Sequence, residues 1–219
     1  MELPAYHLPT LKGVLIHTWD RVKAYAWKAG LVIFPACVVL TLMMTFDWTF
    51  NMVGDDLGKS ILASVGRAVA WFFAPLGFGT WQGATATISA EIAKEQATAT
   101  LAMVAGGDGS AAANIVALFK SFGDERLYKV SALAFLLFNL FVPPCAVAIV
   151  STFKEMGSQK WGWFAVAFQL FVGYVLALNA FQVGALIVTG AWGVWTVITL
   201  LVDLFVLWMI FRPAKKEVA

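Results

Sequence analysis

Charged residues are scarce in this sequence: Asp, Glu, Lys and Arg make up 13% of 219 residues, against 61% hydrophobic residues. Soluble domains carry about 25% charged residues, and a chain this apolar has too little polar surface to cover a water-facing body. A water-soluble globular domain is therefore excluded, and lipid is the expected solvent. The formal net charge is only +2, which gives no electrostatic case for nucleic acid or an acidic partner. Cysteine is limited to Cys37 and Cys145, far apart and each inside an apolar run, which argues against a disulfide framework. The two histidines, His7 and His17, sit in a polar stretch and read as solvated or headgroup-facing. No Ser/His/Asp or Cys/His constellation is apparent. Gly54-Asp55-Asp56-Leu57-Gly58-Lys59-Ser60 is one residue short of a phosphate-binding loop and has no strand before it. Met1 to Asp20 shows no uninterrupted apolar core of a secretory signal.

What is abundant is apolar length. Leu8, Leu11, Leu15, Val22 and Ala26 recur at helical spacing among Lys12, Arg21, Lys23 and Lys28, so residues 1–28 are read as an amphipathic cytoplasmic helix lying on the membrane. Residues 29–219 then form the membrane domain. Spans are expected at about 29–46, 130–150, 161–188 and 194–211; each is free of charge except the last, which holds Asp203. The second of these, 21 residues, would reach roughly 31 Å as a helix, enough to cross the hydrocarbon. Residues 61–105 differ: Arg67, Glu91, Lys94 and Glu95 interrupt them, and Ala74-Pro75-Leu76-Gly77-Phe78-Gly79 breaks them. Two polar half-depth helices around such a break fit a re-entrant hairpin buried in protein. Gly106–Asn114 reads as a linker of small residues and Lys120–Lys129 as a charged loop. The basic clusters at 21–28, 154–160 and 212–216 all lie on one side if that hairpin enters and leaves on the same face, which places both termini in the cytoplasm. The fold class is thus all-α: a polytopic membrane helix bundle with a broken, re-entrant hairpin and a Pro-kinked transmembrane helix.

Two places could carry chemistry. Pro143 and Pro144 have no N–H, so the carbonyls of Asn139 and Leu140 lose their helical donors. Such oxygens are tolerated at membrane depth only against protein or a wet cavity. Cys145 follows directly, and a thiol beside free carbonyls suits a borderline-soft divalent metal; an inert cysteine on a kinked helix fits the same pattern. Glu91, Lys94 and Glu95 have helical spacings that put them on one face, where Lys94 could pair with either acid. Ionisable groups there either line a pathway or pair with each other. Asp203 lies near the cytoplasmic end of its span and reads as reaching the interface. Cys37, Met43, Met44 and Met103 read as lipid or core contacts.

Several segments, in order along the chain, resemble the FeoB family of ferrous-iron transporters. Met1-Glu2-Leu3-Pro4-Ala5-Tyr6-His7-Leu8-Pro9-Thr10, with Trp19-Asp20-Arg21-Val22-Lys23 and Lys28-Ala29-Gly30, is similar to the family's segment between its two membrane gate repeats. Phe73-Ala74-Pro75-Leu76-Gly77-Phe78 resembles FxPLGF, and Ala93-Lys94-Glu95 with Thr100-Leu101 resembles a second family stretch. Val142-Pro143-Pro144-Cys145, then Lys154-Glu155, Ser158 and Lys160-Trp161, resembles the second gate's Pro-Cys segment and the loop after it. Glu91 and Gln96-Ala97-Thr98 depart from the family's uncharged and Val-rich pattern.

The resemblance implies a C-terminal gate half of a bacterial Fe²⁺ uptake system, multi-pass in the inner membrane; Cys145 and Glu95 are the candidate metal-handling residues. It implies no cofactor in this stretch and no enzymatic activity of its own. Fe²⁺ would be the transported ion, and GTP with Mg²⁺ would act only on a GTPase-plus-first-gate half lying outside these 219 residues. Lipid and that half are the expected partners; a homo-oligomer is compatible with it, nucleic acid is not. Two other functions stay open on the residues: a gate for another solute, nucleoside-like or another divalent metal, and a non-transporting scaffold or regulatory subunit.

Overall fold

The computed structural model of the chain describes residues 10–211 other than 55, 108, 144 and 191, with the backbone alone for residues 25, 28, 29, 32, 209 and 210. Among these residues the architecture is helical, with short 3-10 turns and one isolated antiparallel bridge, Phe46 to Met52. The all-α membrane bundle expected from the sequence, including its broken hairpin and its helix interrupted by proline, is what the structure shows. By length and composition, Glu125–Met156 and Gln159–Thr189 are each sufficient to cross a membrane, and the bent pair Ile61–Leu76 with Trp81–Ile92 makes a third if counted as one span. Ile33–Thr45 and Val194–Trp208 are apolar but shorter.

Helix α1 runs without interruption over Leu11–Thr45, with Pro35 inside it, so the basic amphipathic stretch and the first apolar run are one helix. It ends in a turn organised by Asp47, whose Oδ1 accepts hydrogen bonds from the Thr49 hydroxyl (2.7 Å), the Thr49 amide (2.8 Å) and the Asn51 amide (3.0 Å). The Thr49 hydroxyl first, then the Asn51 amide, hold that carboxyl below its ordinary pKa. Helix α2, Ile61–Phe73, starts on Ser60, whose hydroxyl caps the Ala63 amide at 3.1 Å.

The hairpin turns next. After α2 a 3-10 turn over Ala74–Leu76 uses Pro75 at its start, where no N–H is needed. Gly77 then adopts the left-handed conformation (φ +80°), and α3, Trp81–Ile92, leaves at 98° to the preceding helix. The motif around this bend packs the core. Phe78 is fully buried, its ring 5.3 Å from those of both Phe73 and Phe135, and Phe73 meets Phe138 edge-on at 5.4 Å. Thr85, Thr87 and Ser89 are buried on α3, each donating to the carbonyl four residues back; their hydroxyls are thereby satisfied within the helix.

Helix α4 covers Glu95–Ala105 and α5 Ala111–Ser121. The second corrects the linker-and-loop expectation for this region. Ser110 caps the Ala113 amide, Lys120 occupies the last turn, and Leu118 and Phe119 are buried, the latter 5.8 Å from Phe135. These are ordinary start and stop signals, here obscured by the run of small residues.

Helices α6, Tyr128–Phe141, and α7, Ala146–Met156, are the two halves of the proline-interrupted segment. Both lie along α8, Gln159–Thr189. Glycines eleven residues apart on α8, three helical turns, mark the contact: Gly162 faces Phe153 of α7, Gly173 faces Val142 at the break, and Gly184 faces Val130 of α6. Small residues let membrane helices approach closely in this way.

Helix α9, Val194–Phe211, is joined to α8 by polar bonds. Gln182 donates to the Pro75 carbonyl at 2.7 Å and accepts from the Thr196 hydroxyl at 3.0 Å. Asn179 donates to Asp203 at 2.7 Å, so Asp203 is engaged inside the bundle, where the sequence suggested the interface. Replacing Gln182 by Leu leaves the buried Pro75 carbonyl and Thr196 hydroxyl without these partners. A loss of about 1–3 kcal/mol is expected, read as a lower midpoint in detergent unfolding. An unchanged midpoint would show that both groups find other partners.

Candidate functional site

The two chemical candidates read from the sequence meet in space. Helix α3 stops at Ile92, Ala93 is extended (φ −152°, ψ 125°), and α4 begins at Glu95. Glu91, Lys94 and Glu95 therefore do not share one helical face; they flank a break. That corrects the expectation, and the reason is tertiary. Lys94 turns its ammonium to the end of α6, where Nζ donates to the Leu140 carbonyl at 3.0 Å and the Val142 carbonyl at 3.4 Å. Among the described residues no ion pair joins Lys94 to either neighbouring acid. A charge in an apolar surrounding needs a partner, and these bonds are made where a continuous α3–α4 helix would otherwise run.

The acceptor side follows from proline. Helix α6 ends at Phe141, Val142 is extended, and its N–H closes the last turn on Phe138 at 3.1 Å. Pro143 follows; Pro144, the second proline of the expected break, lies outside the described residues. By sequence it removes the donor that the Leu140 carbonyl would have had, and Lys94 fills that role. Asn139, one turn earlier, is 8% exposed. Its Nδ2 donates to the Phe135 carbonyl at 2.8 Å, while its Oδ1 is buried without a hydrogen-bond partner.

Cys145 is extended, half-buried and immediately precedes α7. It borders an open cleft of about 1250 Å³ between α1 and α7, whose lining includes Arg21, Trp27, Leu31, Ser151 and Glu155. Cys145 thus borders a space also lined by the charged residues Arg21, Lys154 and Glu155. Cys37, on α1, is half-buried and is not among the residues lining that cleft. Among the described residues no three His, Cys, Asp or Glu side chains are grouped as for a metal. A cation held at the two breaks would draw on backbone oxygens as well as side chains.

Sequence reasoning located the break at Pro143 and singled out Glu91, Lys94 and Glu95, but it missed the break between α3 and α4 and the joining of the two. Nothing in the spacing of Lys94 and Leu140, 46 residues apart, announces it. The available signal was physical: an ammonium and proline-freed carbonyls in the same apolar domain, of which the Leu140 carbonyl is one that Lys94 meets.

Interrupted membrane helices whose breaks meet recur at transport sites. The sequence agrees: residues 26–159 match the Gate family, described as nucleoside recognition, and the chain belongs to that family. Residues 1–21 match the C terminus of ferrous iron transport protein B. The chain is 32% identical over 193 residues to the Fe(2+) transporter FeoB of Staphylococcus aureus strain COL, covering 86% of this chain and 27% of that protein. It is 31% identical to FeoB of Methanocaldococcus jannaschii, over 85% of this chain and 28% of the relative. With FeoB of Salmonella typhimurium strain LT2 it shares 23% identity, over its whole length and 34% of the relative. The FeoB resemblance thus holds across most of the chain, while the chain spans only about a quarter to a third of the length of these relatives. No solved structure matches it.

Proposed function

We propose that this chain is the membrane gate half of a ferrous-iron uptake transporter, working with a second half that carries the GTPase and a first gate. The observation that carries the reading is the meeting of the two helix breaks: Lys94 at α3–α4 holds the Leu140 and Val142 carbonyls at α6–α7. Next to that junction along the chain stand residue types that a borderline ion such as Fe²⁺ accepts: backbone oxygens, the Glu95 carboxylate beside Lys94 and the Cys145 thiol three residues past Val142. Similarity to relatives called Fe(2+) transporters supports the choice of ion. Fe²⁺ is the cargo; GTP and Mg²⁺ act on the partner half, since this stretch has no phosphate loop. The domain sits in the bacterial inner membrane with residues 1–28 and the C-terminal tail in the cytoplasm, as the basic residues direct.

In cells lacking their own ferrous-iron system, the chain and its GTPase-bearing partner together should restore Fe²⁺ uptake, and neither alone should. Restoration by the partner half alone would refute the gate role. The same cells report topology. Cysteines placed at Asp56 and at Gly123, both exposed and the latter open to a side chain, should react with an impermeant thiol reagent from outside. Cytoplasmic exposure of Gly123 would break the re-entrant assignment of residues 61–105.

A further inference from the structure

We infer that Lys94 is a resident cation of the gate: its ammonium occupies the backbone-oxygen cradle at the α6–α7 break and competes with the transported ion for it. The inference rests on the iron-gate reading and deepens it, by assigning what holds the cradle before cargo arrives. Four observations carry it.

First, the acceptors are two main-chain oxygens two residues apart at an interrupted helix end, both turned to one nitrogen at 3.0 and 3.4 Å. Oxygens that satisfy a compact, strongly hydrated point charge such as ammonium also suit an inorganic cation that has shed part of its water. Second, the same last turn of α6 leaves the Asn139 Oδ1 buried and without a partner. Such an oxygen costs free energy until a donor or cation reaches it, and the Lys94 ammonium is not bonded to it.

Third, Lys94 stands in a joint. Ala93 before it is extended, α4 starts directly after it, and no side chain caps that start. Short segments between helices absorb backbone rotation in gate movements, so the ammonium can withdraw without unwinding either helix. Fourth, Glu91 and Glu95 flank Lys94 in sequence, and neither forms a close ion pair with it. They are within a side chain's reach as the ammonium's next partner when an incoming ion displaces it. Two cations cannot share one pair of carbonyls without strong mutual repulsion, so occupancy by Lys94 and by the ion are mutually exclusive. Lys94 is thus a positioning residue of the gate.

Equilibrium Mn²⁺ binding to the purified full chain in lipid nanodiscs is the test, Mn²⁺ being an air-stable divalent probe. Lys94→Met keeps length and removes charge and donors, so its Kd for Mn²⁺ should fall at least tenfold. Lys94→Arg keeps the competing charge and should stay within about threefold of the parent. Equal Kd values for folded parent and Lys94→Met would overturn the inference. A measurement on the unaltered chain guards against misfolding of the variant: saturating Mn²⁺ should raise the acylation rate of the Lys94 amine several-fold, read by mass spectrometry of the labelled peptide. An unchanged rate overturns the inference as well. Failure of the iron reading looks different, because the parent and its partner half would then carry no Fe²⁺ at all.

Discussion

Gly77→Ala should abolish most of the folded protein in membranes, with a destabilisation of about 2–5 kcal/mol. Two effects combine at this position. Gly77 has φ +80° at the bend between α2 and α3, a left-handed conformation that L side chains adopt only at a cost. A Cβ there would also enter the ring of Phe181 on α8, which closes over the bend. Relief by moving Phe181 is opposed by its neighbour Gln182, tied to the Pro75 carbonyl. Domains have only about 5–15 kcal/mol in hand, so insertion yield and unfolding midpoint should both drop. Gly30→Ala is the control, since open space surrounds that glycine on α1. Equal yields of the Gly77 and Gly30 variants would show that the bend is not held as described.

The bend itself was legible in the sequence, because proline and glycine act locally: Pro75 and Gly77 break helices wherever they stand. The break after Leu140 was legible for the same reason. The break at Ala93 was not. No proline or glycine lies within Ala90–Gln96, and Glu91, Lys94 and Glu95 fit a continuous helix; what interrupts it is a bond from Lys94 to carbonyls 46 and 48 residues away. Long-range polar partners leave no periodic trace. Asp203 is a second case: its position near the end of a span suggested the interface, and its actual partner, Asn179, lies on another helix. Helix α5 was missed for a local reason, the small residues Ala111–Ala113 reading as linker although Ser110 is a good N-cap. For the candidate site, residue identities came from the sequence and their assembly from the fold.

With the partner half present, Cys145→Ser should lower Fe²⁺ uptake by roughly tenfold at unchanged membrane abundance, the order of loss that accompanies weakened metal coordination. Serine keeps the size and a polar atom but removes the soft sulfur donor. The thiol lies at the start of α7, three residues beyond the Val142 carbonyl that Lys94 holds, and borders the cleft between α1 and α7. Glu95→Gln should also reduce uptake, by removing negative charge from the α3–α4 break. Cys37→Ser should change uptake little, because Cys37 lies on α1 away from both breaks. Normal transport by Cys145→Ser would make the thiol a packing residue on a broken helix.

If the ion passes the junction of the two breaks, it should shield Cys145 from alkylation by a maleimide in the purified, reconstituted chain under anaerobic conditions. Fe²⁺ at saturating concentration should slow alkylation of Cys145 at least fivefold and leave Cys37 unaffected. Identical Cys145 rates with and without Fe²⁺ would show that the ion does not pass that junction.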